Sequence, residues 1–88
     1  MSESLVQCSC CDYFSLPPDC GWEICPICFW ECDSVDLVDL DGISGPNHMS
    51  LREGRANFVG FGACEERFRT KVLPKEKLRE FRYAGRGV

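Results

Sequence analysis

The chain has 88 residues, 44% of them hydrophobic, with eight cysteines and a formal net charge of −4. That is one domain, near the size where a hydrophobic core alone becomes marginal and a staple helps, and the composition excludes a disordered chain. No stretch approaches the ~20 apolar residues needed to cross a bilayer, and Met1-Ser2-Glu3-Ser4 lacks the build of a secretory signal, so a soluble, cytoplasmic protein without a membrane partner is expected.

In chain order, the first feature is Cys8-Ser9-Cys10-Cys11, followed after thirteen residues by Cys25-Pro26-Ile27-Cys28. Two C-x-x-C turns, each presenting two thiolates, can converge on one tetrahedral ion. A knuckle needs two residues between its sulfurs, which selects Cys8 and Cys11 over the alternative with Cys10. Cys8, Cys11, Cys25 and Cys28 are therefore the expected ligands of one structural zinc. Iron is the competing metal, less favoured because zinc dominates four-thiolate structural sites. Such a closed set leaves no open coordination position, so no enzyme activity is expected.

Residues 8–31 read as the metal module. Tyr13-Phe14-Ser15-Leu16 and Trp22-Glu23-Ile24 are short β-prone runs around the turn formers Pro17-Pro18-Asp19-Cys20-Gly21, so a hairpin linking the two knuckles is expected. Phe29 and Trp30 are placed over it as a shield for the sulfurs, and the six phenylalanines are candidates for a small core. Residues 33–49 read as an acidic loop. Its Asp33, Asp39 and Asp41 miss the order of an EF-hand, so calcium is not expected.

Ser50-Leu51-Arg52-Glu53 has the form of a capping box and predicts a helix over 50–62, with Leu51, Arg55, Phe58 and Val59 near one stripe and glycines Gly60 and Gly62 at its end. Ala63 to Phe68 suggests a short helical turn. Pro74 opens a second helix over 74–83, with Leu78 and Phe81 inward, and Ala84 to Val88 reads as a frayed tail.

Charge is divided unevenly. No lysine or arginine precedes Arg52, and the residues before it carry −9 while those from Arg52 onward carry +5. Four thiolates around one dication add about −2 to the first half. An anionic metal half does not suit a phosphate backbone; it suits a basic protein partner. Nucleic-acid contact through Arg52, Arg55, Lys75, Lys77, Arg79 and Arg82 is a weaker alternative, since pairing with the acidic half is simpler.

Cys10 and Cys64 read as small buried hydrophobes and Cys20 and Cys32 as incidental. A redox use of these four thiols is disfavoured by acidic surroundings, which raise thiol pKa. His48, the single histidine, has no partner that would make a catalytic pair, and Glu65/Glu66 read as a solvated helix end. Trp22 and Trp30 are assigned to core or metal cover.

The segments Cys8-Ser9-Cys10-Cys11, Trp22 to Glu31, Gly45-Pro46-Asn47, Ser50-Leu51, Asn57-Phe58 and Phe61 to Phe68 together resemble the bacterial cysteine-rich CPCC domain family, over most of residues 8–73. The resemblance implies a zinc-ribbon or rubredoxin-like module with an appended helix. The fold expected is thus small α+β, a zinc-ribbon (rubredoxin-like) β-hairpin module with two appended α-helices. Ser9 stands where the family's name-giving motif has proline, Cys20 and Cys32 are additions to the pattern, and the helix from Pro74 lies beyond it. The function expected is a non-catalytic, zinc-stabilised protein-binding module with an acidic face, in its most concrete form an immunity-type inhibitor of a basic bacterial toxin. Redox or electron transfer through a four-thiolate iron site or the surplus cysteines is the alternative.

Overall fold

The computed structural model of the chain describes residues 5–19, 23–32 and 39–86. A C-x-x-C turn reverses the chain, so the residues flanking it meet face to face. Val6–Gln7 (β1) pairs antiparallel with Phe14–Leu16 (β2), with a register shift between Val6 and Gln7. The second knuckle is straddled in the same way by a bridge between Ile24 and Glu31. Among the described residues each knuckle thus carries a local pairing of its own, and the hairpin expected to link the knuckles falls partly on residues 20–22, outside the described ones. The Cys8 amide donates to the Tyr13 carbonyl at 2.8 Å, and the Cys25 amide to the Trp30 carbonyl at 2.9 Å. Each turn thereby closes on itself. Trp22 and Cys20 lie outside the described residues.

The segment expected to be an acidic loop contains a second hairpin, Ile43–Ser44 (β3) with Met49–Ser50 (β4). Its two described acids, Asp39 and Asp41, have partners. Asp39 accepts from the Gly42 amide at 3.1 Å, and Asp41 pairs with Arg52 at 2.8 Å. Asp33 lies outside the described residues.

Helix α1 runs Leu51–Phe61, with the Ser50 hydroxyl accepting from the Glu53 amide and Gly62 closing the helix at φ 84°. Leu51 and Gly54 are its buried positions. Val59, expected on the inner stripe, is instead 86% exposed. Gly54 carries the close approach: a Cβ there would lie 2.7 Å from the Trp30 ring and 3.4 Å from the Cys10 sulfur. A single 3-10 turn follows at Glu66–Phe68. Helix α2 spans only Lys75–Leu78, with Pro74 as its N-cap rather than its first residue. It is shorter than the expected 74–83 because the chain turns back onto β2. The Phe14 amide donates to the Arg82 carbonyl at 2.8 Å, and Tyr83 bridges Tyr13. The tail is also not frayed through Arg86, for reasons given with the site.

The core forms around sulfur. Buried together are Cys8, Cys10, Cys11, Leu16, Cys25, Ile27, Cys28, Trp30, Met49, Leu51 and Cys64. No phenylalanine is among them. Phe29, Phe58, Phe68 and Phe81 pack against this cluster as a partly exposed shell. With so few large aliphatic residues inside, a shell of this kind gives a marginal domain unless the centre is cross-linked. Among the described residues, no helix is long and apolar enough to cross a membrane.

Gly54→Ala should lower the thermal midpoint, because overpacking against Trp30 costs about 1–3 kcal/mol and outweighs the roughly 1 kcal/mol gain in helix propensity. Gly60→Ala, in open space on the same helix, should raise it by up to about 1 kcal/mol of stability. Equal shifts at the two positions would contradict the packing assigned to Gly54.

Candidate metal centre

The two knuckles are near-copies. In each, the amide after the second cysteine donates to the carbonyl of the first: Asp12 to Cys8 at 3.0 Å and Phe29 to Cys25 at 2.8 Å. That bond requires a left-handed residue after the second cysteine, and Asp12 and Phe29 adopt φ 70° and 72°. Glycine would meet this need without strain. Other contacts hold the two side chains in place: Asp12 in an ion pair, and Phe29 against the Phe68 ring at 4.6 Å.

The knuckles bring the sulfurs of Cys8, Cys11, Cys25 and Cys28 within 4.8 Å of one another, all buried. The Cys8 and Cys28 sulfurs are 3.7 Å apart and those of Cys11 and Cys25 3.8 Å. A tetrahedron with metal–sulfur bonds of about 2.3 Å has edges of about 3.8 Å. The donor set therefore fits one tetrahedral ion in both chemistry and spacing.

Neighbouring donors support negative charge on the sulfurs. The Ile27 amide points at the Cys25 sulfur at 3.3 Å and the Trp30 amide at the Cys28 sulfur at 3.4 Å. The Ser15 hydroxyl lies 3.0 Å from the Cys25 sulfur. Four thiolates at this spacing repel one another, and the thiols divide their protons accordingly. The hydrogen bond from Cys11 drives Cys25 far below the ordinary thiol range, and the same bond raises Cys11. Burial, joined by a hydrogen bond with Cys10, raises Cys28. A dication held by these four sulfurs would remove this conflict by compensating the charge that burial penalises.

Around the sulfurs, the rest of the chain is tied to the knuckles. Asp12, though buried, is held below the usual carboxylate range, because hydrogen bonds and charge from Arg55 and Arg86 outweigh the opposing effect of desolvation. Arg55 grips it through two bonds of 2.8 Å, while the Arg86 amide donates to it at 3.0 Å. Both guanidinium groups also reach knuckle carbonyls, Arg55 that of Ser9 and Arg86 that of Cys8. Gln7 adds a bond to the Ala84 carbonyl, so residues through Arg86 are anchored. The first acid after the first knuckle thus joins α1 and the C-terminal segment, and the acidic and basic halves pair within the chain here and at Asp41–Arg52.

The second knuckle has its own clamp. Asn47, buried in the β3–β4 turn, accepts from the Glu31 amide at 2.9 Å and donates to the Glu31 carbonyl and the Ser44 hydroxyl at 2.8 Å each. The Cys64 amide donates to the Cys28 carbonyl at 2.7 Å, and the Leu73 amide to that of Pro26 at 3.0 Å. Sequence reasoning gave no role to Asp12, Ser15 or Asn47. An isolated acid just past a knuckle and an Asn in a Gly-Pro-Asn turn were the available signals; Ser15 had none.

The remaining candidates do not join the four-sulfur set. Cys10 is buried, with its sulfur near Gly54 and hydrogen-bonded with Cys28, but stands outside the set of four. Burial pushes the Cys64 thiol up to about 12, which leaves it protonated and unreactive at neutral pH. Cys32 is disulfide-bonded and so is no ligand, nor is it incidental. His48 occupies a left-handed turn position at φ 60° and is exposed. Glu65 and Glu66 pair with Arg67 and Arg69.

The family model for cysteine-rich CPCC proteins matches residues 6–78. The match includes α2, so it extends beyond the residues 8–73 on which the resemblance was read. No curated protein and no solved structure matches the chain.

Asp12→Ala should cost about 3–5 kcal/mol, because it leaves two guanidinium groups near the knuckle without their buried partner. Arg86→Ala should cost less, about 1.5–3 kcal/mol for charged hydrogen bonds, and the losses of Asp12→Ala and Arg55→Ala should combine sub-additively in a double-mutant cycle. Additive losses would show that Asp12 and Arg55 act separately.

Proposed function

The chain belongs to the cysteine-rich CPCC family, and we propose that it is a non-catalytic, zinc-stabilised protein-binding module whose two knuckles form a zinc-ribbon, rubredoxin-like site. The observation that carries the reading is the spacing of the four buried sulfurs of Cys8, Cys11, Cys25 and Cys28. Zinc is the usual occupant of such a site and has no redox chemistry of its own. When bound, it supplies compensating charge and a cross-link between the knuckles. The chain's own groups would do the rest: four sulfurs supply the tetrahedron, the Ile27 and Trp30 amides and the Ser15 hydroxyl stabilise them, and the buried Trp30 ring belongs to the same core.

The partner proposed is a basic protein, with a bacterial toxin and an immunity-type inhibitor as the most specific version. Support for it is electrostatic. Asp19, Glu23 and Asp39 are exposed on the metal half, which contains no lysine or arginine. The support is thinner than the sequence alone suggests, because Asp12 and Asp41 are engaged by arginines within the chain. The compartment proposed is the cytoplasm, where reduced thiolates persist; a disulfide at Cys32 would there be regulated rather than permanent. That disulfide favours keeping a redox role as the second reading. Nucleic-acid binding loses one of its expected cations, since Arg55 is committed to Asp12 in a buried ion pair.

Metal analysis of purified protein should give one zinc per chain and a colourless solution. Cys25→Ser and Cys28→Ser should lose the metal, whereas Cys10→Ser and Cys64→Ser should keep it. Iron with visible thiolate absorption would establish the electron-transfer reading instead. Pull-down from lysate should retain a basic protein at low salt and release it at high salt; no retention at low salt would sink the partner proposal.

A further inference from the structure

A groove of about 1200 Å³ lies between α1 and the segment from Arg69 to Tyr83. Its floor is apolar, with Phe58, Leu73 and Leu78 half-buried and Val59 and Phe61 exposed. Val59, on a stripe that the helical pattern assigns to the core, is 86% exposed here. The volume exceeds the roughly 300–1000 Å³ of ordinary small-molecule pockets, which suits a polypeptide segment better than a metabolite.

The charged residues that line it are mostly basic. Arg52, Arg55, Arg69 and Lys75 line the groove, and its one acidic residue, Asp12, is neutralised between Arg55 and Arg86. Arg52 and Arg69 have counter-ions in Asp41 and Glu66, but both pairs are largely exposed, and exposed pairs are weak enough to exchange for a partner's carboxylates. From this apolar floor and cationic rim, we propose that the groove is a docking surface for an acidic segment of another protein, one that alternates carboxylates with bulky apolar side chains. The apolar residues would cover Val59 and Phe61 while the carboxylates meet Arg52, Arg69 and Lys75. This surface is of opposite sign to the exposed acids of the metal half, so its occupant differs from the basic partner proposed above, and the proposal does not rest on that reading. The lining mixes aliphatic Val59, Val72, Leu73 and Leu78 with aromatic Tyr13, Phe58, Phe61 and Tyr83; stacked bases would use only the aromatic ones, so a protein segment with bulky apolar side chains suits more of the surface.

The test uses the full, metal-loaded chain and two synthetic peptides, one alternating glutamate with leucine and the other replacing each glutamate by lysine. The acidic peptide should bind, measured by titration calorimetry, and weaken at least tenfold between low and high salt. Val59→Ser and Lys75→Glu should each weaken it at least fivefold without moving the thermal midpoint, since both side chains project into solvent. Equal binding of the lysine peptide, indifference to both substitutions, or no binding at millimolar peptide would overturn the proposal. So would displacement of the peptide by single-stranded RNA through the same residues, or a concentration-dependent dimer in sedimentation that Val59→Ser abolishes, which would assign the groove to a second copy of the chain.

Discussion

Four sulfur atoms are forced into one buried volume, and the rest of the structure depends on how their charge is settled. Ionised together they repel; protonated together they give up the strong donors that surround them. A tetrahedral dication satisfies both the spacing and the electrostatics. The core has little else to hold it, since its buried members are largely cysteines with a few aliphatic residues and one tryptophan. Binding free energies of about 10–16 kcal/mol for structural zinc are comparable with the whole stability of an ordinary domain. In a chain this size, a metal held at this site would therefore be a principal term in folding.

The near-repetition of the two knuckles explains where the remaining elements go. Each knuckle exposes carbonyls at its turn, and later parts of the chain satisfy them. Arg55 from α1 and Arg86 from the C-terminal segment serve the first, while the Cys64 and Leu73 amides serve the second. Asp12 ties the scheme together. Its backbone holds the left-handed turn that closes the first knuckle, and its side chain recruits the two arginines. Both roles follow from one position, immediately after the second cysteine of the first knuckle.

The sequence made some of this legible and hid the rest for definite reasons. C-x-x-C spacing and the Ser50/Glu53 cap are local signals, set by a few neighbouring residues, and the sulfurs and α1 stand where those signals put them. Strand pairing is not local in the same way. Phe14–Leu16 reads from sequence as the first arm of a hairpin toward the second knuckle, whereas the tight closure of the first knuckle onto Tyr13 pairs it with Val6–Gln7. Long-range tertiary contacts overrode the helical pattern after Pro74, where Arg82 and Tyr83 turn back to β2. Hydrophobic count misled as well: six phenylalanines suggested an aromatic core, but sulfur and Trp30 occupy the centre and leave the rings around it. Summed charge gave the polarity of each half but could not show that Asp12 and Asp41 are spent on Arg55, Arg86 and Arg52.

The account turns on whether folding requires the four-thiolate metal. The most direct measurement is a two-dimensional amide NMR spectrum of the wild-type chain, recorded before and after removal of its metal by a strong chelator under reducing conditions. The account predicts a dispersed spectrum with metal bound, collapse to the narrow range of an unfolded chain after removal, and recovery on adding one equivalent of zinc. A metal-free protein that keeps the same dispersed spectrum and the same thermal midpoint would contradict it.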